Sequence, residues 1–195
     1  MYFCGMDFLE EDMQRALAAL RSGGMILYPT DTVWGIGCDA TDQEAVAGVF
    51  RLKRRLESKS LIVLVADKRD ILRYTAAPDP GIFGFLETTE KPTTVIYEGG
   101  VGLAKNLLAE DGSVGIRIVA DAFCRHLIKR LRKPIVSTSA NVSGEPAPKK
   151  YSEISDAIKE GVDYVVRYRQ EDETDRGPSS VVRWTRGGHA EILRP

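Results

Sequence analysis

Histidine and cysteine are scarce in this sequence, with two and three residues among 195. With so few Cys and only His126 and His189, neither in a recognisable context, neither a zinc site nor a Ser-His-Asp triad is expected. Cys4, Cys38 and Cys124 are odd in number and lack CxxC spacing. They fit reduced thiols better than a disulfide framework. No apolar run is long enough to span a bilayer, so no membrane partner is expected. The N-terminus turns acidic too soon for a signal peptide, and a soluble, cytoplasmic protein is expected. Charge of one sign is also missing: 27 basic and 28 acidic residues leave a net charge of -1. Composition therefore does not point to nucleic acid, although a local basic patch would not show in that sum. There is no GxxxxGK[ST] and no GxGxxG, which removes the P-loop and dinucleotide readings. No internal repeat, low-complexity segment or long linker divides the chain, so residues 1–195 are expected to form one domain.

What is present is an ordinary globular balance, 43% hydrophobic and 28% charged, with helical and strand patterns alternating. Met13, Ala16, Leu17 and Leu20 give one apolar face to a helix expected over about 9–21, with Glu10, Glu11 and Asp12 at its N-terminus. Thr41 with Glu44 reads as a capping box for the next helix, which buries Ala45, Val46, Val49 and Phe50. Strands are expected over 25–28, 61–65, 93–97, 114–118, 134–136, 162–166, 179–184 and 190–193. Further helices are expected over 67–74, 78–86, 120–131 and 151–160. Residues 98–111 are expected to be loose and mobile, and 169–176 form a charged loop. The class is mixed α/β.

Several apolar strands end in polar clusters. In PTDTVWGIG at 29–37, Pro29 ends strand pairing and delivers Thr30, Asp31 and Thr32, while Gly35 and Gly37 allow close approach of backbone or ligand. Lys53, Arg54 and Arg55, with Ser58 and Lys59, form either a polyphosphate cradle or a solvated helix end. Arg117 lies on a strand. STSANVSG at 137–144 follows a strand directly and is either a wrap for phosphate or ribose or a turn bonded to its own backbone. Ligands in layered α/β folds gather where strand ends and loops converge.

Taken in order, PTDTVWGIG, Lys53 and Arg55 with SK at 58–59, GIR at 115–117, STSANVSG, PSSVV at 178–182 and ILRP at 192–195 resemble the YrdC/Sua5 family, the threonylcarbamoyl-AMP synthases. The resemblance spans almost the whole chain. It is to the short, YrdC-type form, since the extra C-terminal domain of the longer form does not follow Arg194. It implies a twisted mixed parallel/antiparallel sheet flanked by helices, of YrdC/RibB type, with a positively charged concavity. It implies a nucleotidyltransferase that makes L-threonylcarbamoyladenylate and pyrophosphate from L-threonine, bicarbonate and ATP. Other proteins would transfer the threonylcarbamoyl group to adenosine 37 of tRNA, giving N6-threonylcarbamoyladenosine. The signature residues map onto Lys53, Arg55, Ser139 and Asn141, the expected catalytic set. Arg55, Lys59, Ser113, Ser139 and Arg194 would contact ATP. Thr32, Arg117, Ser137 and Ser179 would hold L-threonine. Mg²⁺ would arrive with the nucleotide, on phosphate oxygens, without a protein metal site. Leu64 departs from the pattern, standing where some members carry a polar residue near the threonine. The rival reading is a non-catalytic RNA-binding module using the basic concavity, with tRNA or double-stranded RNA as partner.

Overall fold

In the computed structural model the described residues are 3–56, 61–185 and 188–195, with side chains described from Leu9 onward. The elements are α1 (Phe3–Arg21), β1 (Ile26–Tyr28), β2 (Gly35–Gly37), α2 (Gln43–Leu52), β3 (Ile62–Val65), α3 (Lys68–Tyr74), α4 (Gly81–Thr88), β4 (Thr93–Tyr97), β5 (Val114–Ile118), α5 (Ala122–Leu131), β6 (Ile135–Ser139), α6 (Asp156–Glu160), β7 (Tyr164–Val165), β8 (Ser180–Trp184) and β9 (Ala190–Arg194). Among the described residues the strands form one sheet in the order β7-β1-β2-β6-β3-β5-β4-β8-β9. The pairs β7/β1, β3/β5 and β4/β8 are parallel and the others antiparallel. The expected twisted mixed sheet is therefore present.

Side-chain alternation sends successive strand residues to opposite faces. One face carries Val63, Val65, Val95, Ile116, Val136 and Val182, packed against α2, α3 and α4. The other carries Ile26, Tyr28, Leu64 and Ile135 beneath Met13, Leu17 and Leu20 of α1 and Phe123, Leu127 and Leu131 of α5. Each such side chain contributes about 1.5–3 kcal/mol on full burial. Helix cover on this second face stops partway. The register Leu64↔Arg117↔Thr94↔Val181 carries the same face across β5, β4 and β8. There the sheet borders a cavity instead.

Several sequence expectations shift. Helix α1 begins at Phe3, six residues earlier than expected, so Glu10, Glu11 and Asp12 lie inside it. Asp12 is fully buried and accepts from the Tyr164 hydroxyl at 2.7 Å and from the N–H groups of Arg167 and Tyr168 at 2.9 and 2.8 Å. That carboxylate anchors the chain after β7; it is not a first-turn charge. The cap of α2 is Asp42, which accepts from Glu44 and Ala45 N–H. Thr41 turns away to Asp39 Oδ1. An anionic Asp one residue on takes the N-cap position in place of Thr. The expected 151–160 helix breaks into a 3₁₀ turn, Tyr151–Glu153, and α6, because Ile154 is extended and buried between them. The expected mobile stretch is held down instead: Ala104 N–H donates to Ala40 O at 2.9 Å, and Leu107 is buried.

Candidate active site

The cavity on the open face measures about 350 Å³, an ordinary size for a small-molecule site. Among the described residues lining it are three arginines, Arg55, Arg117 and Arg194, and no carboxylate. Thr32, Ser113, Ser137, Ser139 and Ser179 also line it. The structure thus brings together eight of the eleven residues singled out from sequence.

At one end, β1 runs out at Tyr28, and Pro29 hands over to the Thr30 turn. Thr30 Oγ1 accepts the Thr32 N–H at 3.0 Å, donates to the Val33 carbonyl at 2.9 Å and is hydrogen-bonded to Thr32 Oγ1 at 2.9 Å. Thr32 Oγ1 then accepts from Arg117 Nη1 at 2.9 Å. The same nitrogen pairs with Asp31 Oδ1 at 3.0 Å, and Asp31 Oδ2 accepts the Ala120 N–H at 2.9 Å. Arg117 is only 3% exposed. Asp31 is therefore the anchor that lets a guanidinium be buried under the turn. Nothing in the spacing distinguished that task from turn capping.

At the other end, Ser179 meets Thr94 Oγ1 at 2.9 Å, and its carbonyl accepts two N–H groups of Arg194 at 2.8 and 3.0 Å. Thr94 was missed in the sequence. Its signal was strand parity, since it shares a face with Ile96, and both line the cavity. Partial burial holds Arg55 below its usual basicity; for Arg194 burial acts first and the charge of Arg117 second. Both cations gain from a bound anion.

STSANVSG does not form the turn that ends a short strand. Strand β6 runs through Ser139, so Ser137 and Ser139 are strand residues aimed at one face. Lys53 and Asn141 are not among the lining residues. Lys53 is 1% exposed, and its Nζ donates to the Ser139 carbonyl, to the Asn141 carbonyl at 2.6 Å and to Asn141 Oδ1 at 3.4 Å. Asn141 Oδ1 also accepts from Ser139 Oγ at 2.5 Å, and its Nδ2 donates to Glu145 O at 2.7 Å. Both side chains clasp the end of β6 from behind and present Ser139 to the cavity. Lys59, with Ser58 and Ser60, lies outside the described residues. Leu64 is fully buried beneath α1 and α5, on the row next to Arg117.

Burial, with the charge of Arg55 second, pushes the Lys53 ammonium down from 10.5 to about 8. Between those values the unfolded chain holds a proton that the folded chain lacks, so this group makes stability rise with pH. The buried thiols of Cys38 and Cys124, pushed up from 9.0 by burial, act oppositely above about pH 9. Between about pH 8 and 9 the difference between the native chain and a Lys53 variant, in which the thiol contributions cancel, isolates Lys53. Denaturant midpoints there are expected to rise for the native chain by up to about 1 kcal/mol relative to Lys53→Met. Parallel pH curves for the two proteins would contradict the assignment.

The family model for Sua5, YciO and YrdC proteins, described as telomere recombination, matches residues 18–195. The chain belongs to the Sua5/YciO/YrdC family. A Stenotrophomonas maltophilia member named threonylcarbamoyl-AMP synthase is 35% identical over 148 residues, covering 74% of this chain and 80% of that one. The structure of P. abyssi Sua5 complexed with L-threonine superposes with a TM-score of 0.82 at 22% identity, over 94% of this chain. This chain spans 53% of that longer Sua5 protein. Full-length HypF in its phosphate- and nucleotide-bound form gives a TM-score of 0.80 at 27% identity, over 94% of this chain and 28% of that one. The sheet and its open face are thus the Sua5/YciO/YrdC fold.

Proposed function

We propose that this chain is an L-threonylcarbamoyladenylate synthase, a nucleotidyltransferase that joins L-threonine, bicarbonate and ATP. The observation that carries the reading is Arg117. Its guanidinium is buried among hydroxyls, and its Nε–H has no acceptor among the described residues. A carboxylate ligand would meet that deficit, since arginine pairs with planar anions through adjacent N–H groups. Threonine fits this end: its carboxylate would face Arg117, and its polar groups would face Thr32, Ser137 and Ser179. Arg55, Ser113, Ser139 and Arg194 suit the nucleotide, with Lys59 as a further phosphate contact.

The chemistry has two steps. The neutral amine of threonine attacks the bicarbonate carbon, and water leaves, giving a carbamate. A carbamate oxygen then attacks the α-phosphorus of ATP and displaces pyrophosphate. Neither step needs a covalent enzyme nucleophile. Both need alignment and positive charge where oxygen charge develops. A cavity that among the described residues has three arginines, several hydroxyls and no carboxylate supports this. Asp31 is committed to Arg117 and Ala120, which leaves it an orienting group. Among the described residues no three His, Cys, Asp or Glu side chains cluster as metal ligands. In this reading Mg²⁺ enters with ATP, held by phosphate oxygens.

The product is a reactive mixed anhydride destined for tRNA adenosine 37, through transfer proteins in the cytoplasm. An RNA-binding module would have no use for a buried arginine with a spare donor. Among the described residues no helix is long and apolar enough to cross a membrane. Pyrophosphate release that depends on threonine is the test of the reading.

A further inference from the structure

The charged loop noted in the sequence joins distant parts of the sheet. Strand β7 lies at one end of the sheet and β8 near the other, with six strands between them. Residues 166–179 connect the two as a strap that begins with a turn over residues 168–171, where the Asp172 N–H donates to the Arg169 carbonyl at 3.1 Å. The strap is tied at several points. Lys149 holds Asp175 at 2.8 Å, and Lys150 holds Glu173. Its far end enters the cavity as Pro178 and Ser179.

Its near end is fixed by Arg169. Nη1 donates to the Thr30 carbonyl at 3.1 Å and to Asp121 Oδ2 at 3.0 Å, while Nε donates to Asp172 Oδ2 at 2.9 Å. The residue takes a left-handed backbone, φ 63°, to do this. That conformation is rare outside glycine and persists only when surrounding contacts over-determine it. Asp121 also caps α5 through Cys124 N–H at 2.9 Å. The turn of residues 29–32 is thus gripped at Pro29 O by Cys124 Sγ, at Thr30 O by Arg169 and at Asp31 by Ala120 N–H. Only the Arg169 contact comes from the strap.

We propose that Arg169 is a positioning residue for the threonine end of the cavity. By holding the Thr30 carbonyl and the cap of α5 together, it sets where Thr30 Oγ1 and Thr32 Oγ1 lie, and hence how Arg117 is presented. Arg169 itself does not line the cavity. The inference rests on the threonine-adenylating reading given above. It adds that binding of the amino acid depends on a residue of the connecting strap.

The experiment compares steady-state pyrophosphate release by the native chain, Arg169→Gln, Arg169→Lys and Asp172→Asn. Arg169→Gln is expected to raise the KM for threonine roughly tenfold to a hundredfold, the scale of a small misplacement in an aligned site, with the KM for ATP within about twofold. Arg169→Lys, which keeps a cation beside Thr30 and Asp121, is expected to recover part of the loss. Asp172→Asn, which leaves both Nη1 contacts intact, is expected to stay near the native values. An unchanged threonine KM in Arg169→Gln would overturn the proposal. So would a parallel rise in both KM values, which would mean that the whole cavity is disturbed, or a fall in kcat alone, which a smaller folded fraction produces. If Arg169→Gln does not fold, Arg169→Lys decides on the same split. Failure of the native chain to show any threonine dependence would strike the enzymatic reading itself, which keeps the two failures apart.

Discussion

Arg117→Ala is expected to lose threonine-dependent turnover by roughly a thousandfold. Losing a preorganised donor that meets the ligand's charge costs on the order of a hundredfold to a thousandfold in turnover, and removing one partner of a buried, hydrogen-bonded ion pair separately costs about 3–5 kcal/mol of stability. Arg117 makes such a pair with Asp31 and also donates to Thr32. The substitution takes away the proposed carboxylate partner and leaves the Asp31 charge uncompensated, so melting temperature should also fall. The two effects can be separated. In Arg117→Ala combined with Asp31→Asn, the stranded charge is gone and much of the stability should return. Turnover should not return, because the cationic fork is still missing. Arg117→Lys should retain most stability and yet lose activity, since a point charge cannot reproduce the fork. Recovery of turnover together with stability in the double variant would show that Arg117 acts only on folding.

Gly37→Ala is expected to be among the most destabilising single changes in the chain, by about 3 kcal/mol or more, the upper range for overpacking a tight core. A Cβ at Gly37 would lie 2.6 Å from Tyr28 Cε1, 2.6 Å from the Val136 carbonyl oxygen and 3.0 Å from Ile135 Cγ2. The reason is the tyrosine. Its ring crosses β2 from β1 so that its hydroxyl can donate to Val136 O on β6 at 3.1 Å. The ring is fully buried and the carbonyl belongs to the middle of the sheet, so neither can yield cheaply. A shift of β6 would also move Ser137 and Ser139 in the cavity. Urea unfolding of Gly37→Ala beside the native chain measures the loss. A change below about 1 kcal/mol would mean that the sheet relaxes more freely than close packing allows.

The Gly35 and Gly37 pair illustrates what the sequence could convey. Two glycines two residues apart on a strand announced close approach on one face, yet could not say that the visitor is Tyr28. Strand β3 was legible because a continuous apolar run marks a buried strand locally, and β4 and β5 because short stretches rich in β-branched residues stand between turn residues. The cavity residues Arg55, Arg117, Ser137 and Ser179 were legible through a resemblance of motifs; the register of the sheet brings Arg117 and Ser137 to one face, and Arg55 and Ser179 line the same cavity from outside the strands. What escaped is long-range. Lys53 reads as a surface cation because its acceptors lie 86 and 88 residues away. Asp12 reads as a helix-start charge because the N–H groups that it satisfies are more than 150 residues away. Arg169 reads as loop decoration because its partner carbonyl on Thr30 is 139 residues distant. Local pattern reports which groups are polar, and only the fold reports which of them are buried against one another.

The central claim is that the open face adenylates a carbamate of threonine. Its most direct test is pyrophosphate release from MgATP and bicarbonate by the native chain, with and without L-threonine, beside an Arg55→Ala control. The account predicts release that requires threonine, together with an adenylate carrying the bicarbonate carbon, and loss of both in Arg55→Ala. Release indifferent to threonine, or none at all from folded protein, would contradict it.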